Sequence, residues 1–381
     1  MEVINGKTGL LSKRIRSMIQ HPSYSFSAMA WRRLKRKTSA MIGLALIIFS
    51  ILSGIFCYFI INDPTPNADR QIVEIQAKKV GFTKQFLRVK KEKEVKAKGF
   101  LSYLLYGQED AYKYIPINSY VETKDSFIID KFIDDGVEER ISYSRSSTAA
   151  TNAIESKSFW LGTDRFGRDI LSRLTVGVRV SLAVGLITVL ISLSIGVSLG
   201  AIAGYFRGRS DNIIMWLINV IWSIPTLLLV FGITIALGKG FWQIFIAVGL
   251  TMWVSVARLV RGQIIALREM EYIAAAKALG LSDLRIIIRH LIPNIMGPVI
   301  VIAASNFATA IIIEAGLSFL GVGVQPPQPS WGLMIKENYN FIITHNPILA
   351  IVPGIAIMLL VLAFNLLGNG LRDALDVKEK I

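Results

Sequence analysis

The sequence is poor in the residues that staple or charge a soluble fold. A single cysteine, Cys57, in 381 residues excludes an intrachain disulfide framework and any cysteine-based zinc site. Three histidines, His21, His290 and His345, are scattered too widely to read as a metal site. Charged residues make up only 18%, against about 25% in an ordinary soluble domain. Disorder, collagen and coiled coil each need more charge, proline or heptad order than is present. What is abundant is apolar: 52% hydrophobic residues, 30 glycines besides, and a mean hydropathy of +0.50. An all-α integral membrane protein is the class that remains.

The net charge of +15 raises a nucleic-acid reading, which its distribution removes. Residues 1–40 hold nine Lys/Arg against one acid, whereas residues 62–170 hold eighteen against seventeen. A polynucleotide binder concentrates positive charge on one folded face. Here the surplus sits beside an apolar run, as orientation signals do.

That run is Met41 to Ile61, uncharged and preceded by Arg32-Arg33-Leu34-Lys35-Arg36-Lys37. It is too long for a signal-peptide core and lacks a small-residue cleavage site, so it reads as a retained anchor. Further charge-free stretches predict spans near 180–204, 213–237, 241–260, 295–317 and 347–368, six in all. The basic tract places the N-terminus (1–40) in the cytoplasm, and six crossings return the 373–381 tail there. Residues 62–160 then fall outside. Period-two runs such as Ser119–Glu122 and Ser126–Ile129 predict strands in a small mixed α/β insertion, with a solvated spacer as the other reading. Ser144 to Thr151 reads as a linker back to the membrane part.

A pump needs energy, and the chain offers no source of its own. Gly6-Lys7-Thr8 resembles the tail of a phosphate-binding loop, but position one of that pattern is Met1 rather than glycine. Gly238-Lys239-Gly240 lacks the required Ser or Thr. An ion gradient would leave ionisable residues inside the membrane, and only Glu314 qualifies, as an end-of-helix acid or as a proton relay. The relay reading makes the chain a gradient-driven secondary transporter. Otherwise a partner supplies the energy.

The cytoplasmic segment 265–293 is the place to meet one. Tyr272-Ile273-Ala274-Ala275-Ala276-Lys277-Ala278-Leu279 is a strong helix former with small side chains that permit close approach. Gly280 stops it, Ser282-Asp283 caps a second helix with Leu284, Ile287, Ile288 and Leu291 on one face, and Pro293 opens the next span. Docking in a cytoplasmic subunit and lying on lipid are both open on physics alone.

These residues carry a resemblance. Tyr272 to Gly280, nine residues, then His290-Leu291-Ile292-Pro293 is similar to the "EAA" loop of ABC-importer permeases, and among them to the C-type subunit of the dipeptide/oligopeptide/nickel family. The run from Leu161 through Asp164, Arg168 and Asp169 to Leu182 resembles that family's stretch before its second helix. Glu314 to Gly323 and Pro326 to Gly332, which includes Trp331, resemble two further motifs, in order. Departures are Ala274 in place of the naming Glu, Asn219 where Asp is common, and the long 62–160 insertion.

The resemblance implies a type I permease fold over 161–372 and a non-catalytic half of a transport pore in the bacterial inner membrane. It implies a second permease subunit, two cytoplasmic ATP-binding subunits that hold ATP and Mg, and an extracytoplasmic binding protein that delivers peptide, with nickel or another small solute as the alternative cargo. No cofactor or metal would bind this chain. Tyr272, Ala275, Ala276, Leu279, Gly280, His290 and Pro293 would form the ATPase-coupling loop. Asp164, Arg168, Asp169 and Trp331 would form an external gate or binding-protein contact, with a salt-bridge cluster that fixes the second helix as the alternative for the first three. The glycines Gly185, Gly196, Gly200 and Gly204 fit close helix packing.

Overall fold

The computed structural model describes residues 26–92, 95–238, 240–343 and 346–375. Gly6-Lys7-Thr8, His21, Lys239, His345 and residues 376–381 lie outside them. Helix α1 (Phe26–Arg36) leads into α2 (Thr38–Ile55), which a further turn, Cys57–Ile60, extends. An inserted sheet follows, and then come α4 (Ile170–Phe206), α5 (Gly208–Trp222), α6 (Thr226–Leu237), α7 (Phe241–Arg268), α8 (Glu271–Ala278), α9 (Asp283–Leu320), α10 (Trp331–Asn338) and α11 (Ile348–Leu375), with α3 (Phe100–Tyr106) inside the insertion.

Helices α2, α4, α7, α9 and α11 are each long and apolar enough to cross a bilayer. Helices α4, α7, α9 and α11 run past the windows expected from charge-free stretches. Arg173 and Arg179 lie inside α4, and Arg258 and Arg261 inside α7, because each finds carboxylate, carbonyl or amide partners. The uninterrupted span expected over 213–237 is corrected. Helices α5 and α6 meet at a 92° bend, where Pro225 brings no N–H to continue the ladder.

Packing of α4 on α7 forms the centre. A Cβ on Gly196 would stand 2.5 Å from the Val256 Cβ, one on Gly200 2.5 Å from the Ala257 carbonyl, and one on Gly204 2.8 Å from the Arg261 carbonyl. Three glycines four residues apart thus let the two backbones approach, as the sequence spacing predicts. Gly185 serves another contact, since Phe307 of α9 occupies its Cβ position.

Residues 82–159 form an antiparallel sheet in the order β4-β3-β2-β1-β5, with β1 Phe82–Lys90, β2 Tyr112–Glu122, β3 Ser126–Asp134, β4 Val137–Ser144 and β5 Ile154–Phe159. Both faces are covered. Ile72, Ile75, Phe86, Phe132 and Phe159 pack on one, and Leu87, Ile115, Ile117, Phe127 and Ile129 on the other. Ser144 to Thr151 is no linker to the membrane part. It carries the chain from edge strand β4 to edge strand β5, pinned where Thr148 bridges Val89 and the Ala149 N–H donates to the Arg88 carbonyl at 3.0 Å. The stem segments 72–78 and 162–168 bind each other: Ile72 N–H to Phe166 carbonyl at 3.2 Å, Ala77 N–H to Asp164 carbonyl at 2.9 Å.

The glycine contacts are testable. Gly200→Val should lower the thermal unfolding midpoint of the detergent-solubilised protein, by the roughly 1–3 kcal/mol typical of overpacking. Gly262→Ala in α7, where open space surrounds the new methyl, should leave it unchanged or raise it.

Candidate functional site

Helix α4 ends in two constellations, one at each face of the membrane part. At its C-terminal end the connection from α7 to α9 folds against Tyr205. Arg268 donates to the Tyr205 carbonyl at 2.7 Å, and the Tyr205 hydroxyl donates to the Asp283 carboxylate at 2.5 Å. The Lys277 ammonium lies 5.1 Å from the same ring. One buried tyrosine therefore holds the segment before, within and after the turn.

That turn is built as its residues require. Gly280 takes φ +76°, a left-handed conformation that costs other residues about 1–2 kcal/mol, and open space surrounds it. Ile273 and Ala276 point into the core formed by Val260, Ile264, Ile286, Leu291 and Ile295. Tyr272, Ala275 and Leu279 point outward, Leu279 with 80% of its surface exposed. Ala276 was expected among the docking residues and is corrected to a core residue.

The apolar face expected on the second helix is also corrected. Ile286, Ile287 and Leu291 are buried, while Leu284 and Ile288 are exposed. Residues Ile287–Leu291 form a π-turn, because Pro293 has no N–H to return to the Arg289 carbonyl, and the wider turn rotates the face. His290 sits half-buried in this turn, its carbonyl accepting from the Asn294 amide at 2.6 Å. Ser282 occupies the cap position without a side-chain bond, Asp283 being engaged by Tyr205.

At the N-terminal end of α4, Asp169 caps the helix, accepting from the Ser172 N–H at 3.1 Å and from the Ser172 hydroxyl. Arg168 donates to Asp164 at 2.6 Å, Asp69 at 3.1 Å and Glu337 at 2.6 Å. Arg173, fully buried, reaches Asp69 at 3.4 Å, Glu337 at 3.7 Å and Asp164 at 3.9 Å. Burial works against the Arg168 charge, but Asp164 and Glu337 outweigh it and hold its pKa above the ordinary value.

Trp331 opens α10 beneath this cluster, fully inside the fold, its indole N–H on the Leu174 carbonyl at 2.9 Å and its ring against Gly177. Asp164, Arg168, Asp169 and Trp331 are thus all buried. In this arrangement the first three belong to a salt-bridge and capping cluster at the start of α4, and none presents a surface to a protein arriving from solution. Glu314 lies in the last two turns of α9. Fully buried six residues before α9 ends, it accepts from Ser318 at 2.6 Å, and the Ser318 oxygen in turn accepts the Val324 N–H at 3.0 Å, which folds the chain back after Gly321.

The elbow between α5 and α6 holds a cavity of about 220 Å³ lined by Thr226, Thr251, Ser255, Asn306 and Thr309 among apolar neighbours. Asn306 is buried and its amide nitrogen has no partner. Next to it, Arg258 lies 3.6 Å over the Trp222 ring and donates to Asn219 at 3.2 Å. Among the described residues no three His, Cys, Asp or Glu come together to hold a metal.

Residues 196–380 match the family described as binding-protein-dependent transport system inner membrane component, and residues 25–76 match the N-terminal TM domain of oligopeptide transport permease C. The glutathione transport system permease protein GsiD of Pectobacterium atrosepticum is 43% identical over 229 residues, 60% of this chain and 76% of that protein. The chain belongs to this permease family. The oligopeptide transport system permease protein OppC of Bacillus subtilis is 39% identical over 239 residues, 63% of this chain and 78% of its own. A solved inward-facing MetNI methionine ABC transporter is similar to 53% of this chain and 96% of its own, with a TM-score of 0.44 and 19% identity. Residues 77–195, which hold the sheet and most of α4, lie outside both family matches.

Sequence reasoning missed Tyr205, Asp69 and Glu337. Arg173 and Arg179 stood inside a quoted motif without a role, but no local signal marks Asp69 or Glu337, which are far along the chain from their partners. Arg168→Met should destabilise the permease by about 3–5 kcal/mol by stranding buried carboxylates. The loss should be smaller in Arg168→Met/Asp164→Leu, as read from unfolding midpoints. Tyr205→Phe should speed amide exchange in residues 279–286 about tenfold, the loss of one charged hydrogen bond of roughly 1.5 kcal/mol, with exchange in the sheet unaltered.

Proposed function

We propose that this chain is the non-catalytic half of the translocation path of an ATP-driven peptide importer. Beside it stand a second permease subunit, two cytoplasmic ATP-binding subunits that carry ATP and Mg, and an extracytoplasmic binding protein. The chain itself takes no cofactor. The observation that carries this reading is the turn at Gly280: an exposed collar of Tyr272, Ala275, Leu279 and Leu284 locked to α4 through Tyr205. A docked ATPase that moves this collar moves the whole of α4, and with it the glycine-packed α7. The basic tract Arg32–Lys37 supports a cytoplasmic side for that face and for the chain's two ends, with the sheet outside.

The elbow cavity supports peptide as the cargo. Its hydroxyls and the Asn306 amide are neutral donors and acceptors that suit a peptide group, and no carboxylate, imidazole or thiol lines it for a metal ion. Relatives named for oligopeptide and glutathione transport support the same class. The sheet of residues 82–159 is the surface that receives the binding protein.

Mild-detergent purification of the tagged chain from its own membranes should bring down a second permease and two ATP-binding proteins. A folded chain that purifies alone contradicts the proposal. Gly280→Arg should lower ATPase retention and peptide uptake together at least about tenfold, the effect of a bulky side chain in a left-handed turn at a packed contact. Normal uptake with normal retention contradicts the docking role.

A further inference from the structure

The short helix α3 in the insertion is exposed on an apolar face. Phe100, Leu101, Leu105 and Tyr106 keep half or more of their surface open, a cluster that a solvent-facing domain rarely shows. Its position explains it. The lipid-facing stripe of α2 runs through Ile48, Phe49, Leu52, Ile55 and Phe56 and continues on Phe59 and Ile60, all exposed. From Met41 to Ile60 the helix rises about 30 Å, so Phe59 and Ile60 reach the hydrocarbon boundary. Helix α3 lies against that end: the Phe59 ring is 5.9 Å from Phe100 and 5.1 Å from Tyr103, and the Tyr103 hydroxyl donates to the Tyr58 carbonyl at 2.9 Å.

The level of α3 is fixed by one side chain. Arg179 of α4 donates to the Gly54 carbonyl at 2.6 Å and the Ile55 carbonyl at 3.0 Å, at the end of α2. It also donates to the Leu104 and Leu105 carbonyls, both at 2.7 Å, at the end of α3. Two helix C-termini thus share one cation, which suits their partial negative charge. The base of α3 is closed as well. Gln108 holds the Lys96 carbonyl and the Lys98 N–H, the Lys98 ammonium donates to the Gly107 carbonyl at 3.0 Å, and a Cβ on Gly107 would collide with Pro64 and Tyr58.

We propose that α3 is a membrane-surface anchor: its Phe100, Leu101, Leu105 and Tyr106 face enters the headgroup–acyl boundary of the leaflet reached by the end of α2. The occupant is bilayer lipid, because the face continues the lipid stripe of a spanning helix without a step. Exposed Lys96 and the Lys98 ammonium flank it where lipid phosphates lie. The anchor holds the sheet over the bilayer at a set height and tilt.

The test uses the full complex in phospholipid vesicles, with nitroxide labels on Leu101→Cys and Leu105→Cys in turn. Cys57 is buried and stays unlabelled. Labels at lipid-facing Leu52 and at Ser142 on the exposed edge strand serve as references. Labels on α3 should be open to oxygen and shielded from a soluble nickel chelate, like Leu52, at a depth of roughly 5–10 Å. Nickel access equal to that at Ser142 overturns the anchor, and exclusion of both reagents assigns the face to a protein partner instead. As a check without substitution, a phospholipid with a photoreactive acyl chain should mark the peptide 99–107 of the unaltered chain. Marking of α2 peptides alone overturns the proposal.

Discussion

The buried pairing of Arg168 and Arg173 with Asp69, Asp164 and Glu337 is the constraint on which the outer half of the protein depends. Three stretches far apart in the chain meet there: the stem into the sheet, the start of α4 and the end of α10. Desolvating two guanidinium groups and three carboxylates is expensive, and the attraction among them roughly offsets that cost when the geometry is good. Its consequence is registration more than net stability. With any one member misplaced a charge is stranded, so the stem, α4 and α10 share one arrangement. Trp331, directly below, and the Glu314–Ser318–Val324 chain extend the same order into α9.

The other end of α4 is organised by hydrogen bonds around Tyr205 rather than by buried charge. Between the two ends the helix packs on α7 through glycines that leave no room for side chains to slip. A rod pinned at both ends and closely packed between them moves as a body or not at all. In the proposed importer, a push on the exposed turn around Gly280 would reach a membrane segment of about 50 Å. The elbow of α5 and α6 lies outside this rod, and the cavity with the unpaired Asn306 amide sits at the seam.

Long apolar runs made the spanning helices legible in the sequence, and alternation made the strands legible. The lengths were not legible, because a charge ends an apolar window whether or not it is paired: Arg173 and Arg179 look like boundaries and are interior. Pro225 was visible, but a proline inside an apolar run kinks some helices and breaks others, so the 92° angle could not be read from it. In the segment from α7 to α9 the small-residue helix and Gly280 were readable. Inward-facing Ala276 and the π-turn before Pro293 were not, since both depend on which face the core claims. Asp164, Arg168 and Asp169 were recognised as a group. Their partners Asp69 and Glu337 carry no local mark.

The central claim is that the Gly280 turn and α4 form one rigid lever driven from the ATPase side. The direct measurement is pulsed electron spin spacing in the reconstituted complex, with nitroxides on Leu279→Cys and on Arg165→Cys, both exposed sites at opposite ends of the lever. The account predicts that trapping ATP changes the distance from Leu279 to the same loop of the second permease, while the Leu279–Arg165 distance holds constant. A Leu279–Arg165 distance that shifts as far as the inter-subunit one would show the turn moving independently of α4, and would contradict it.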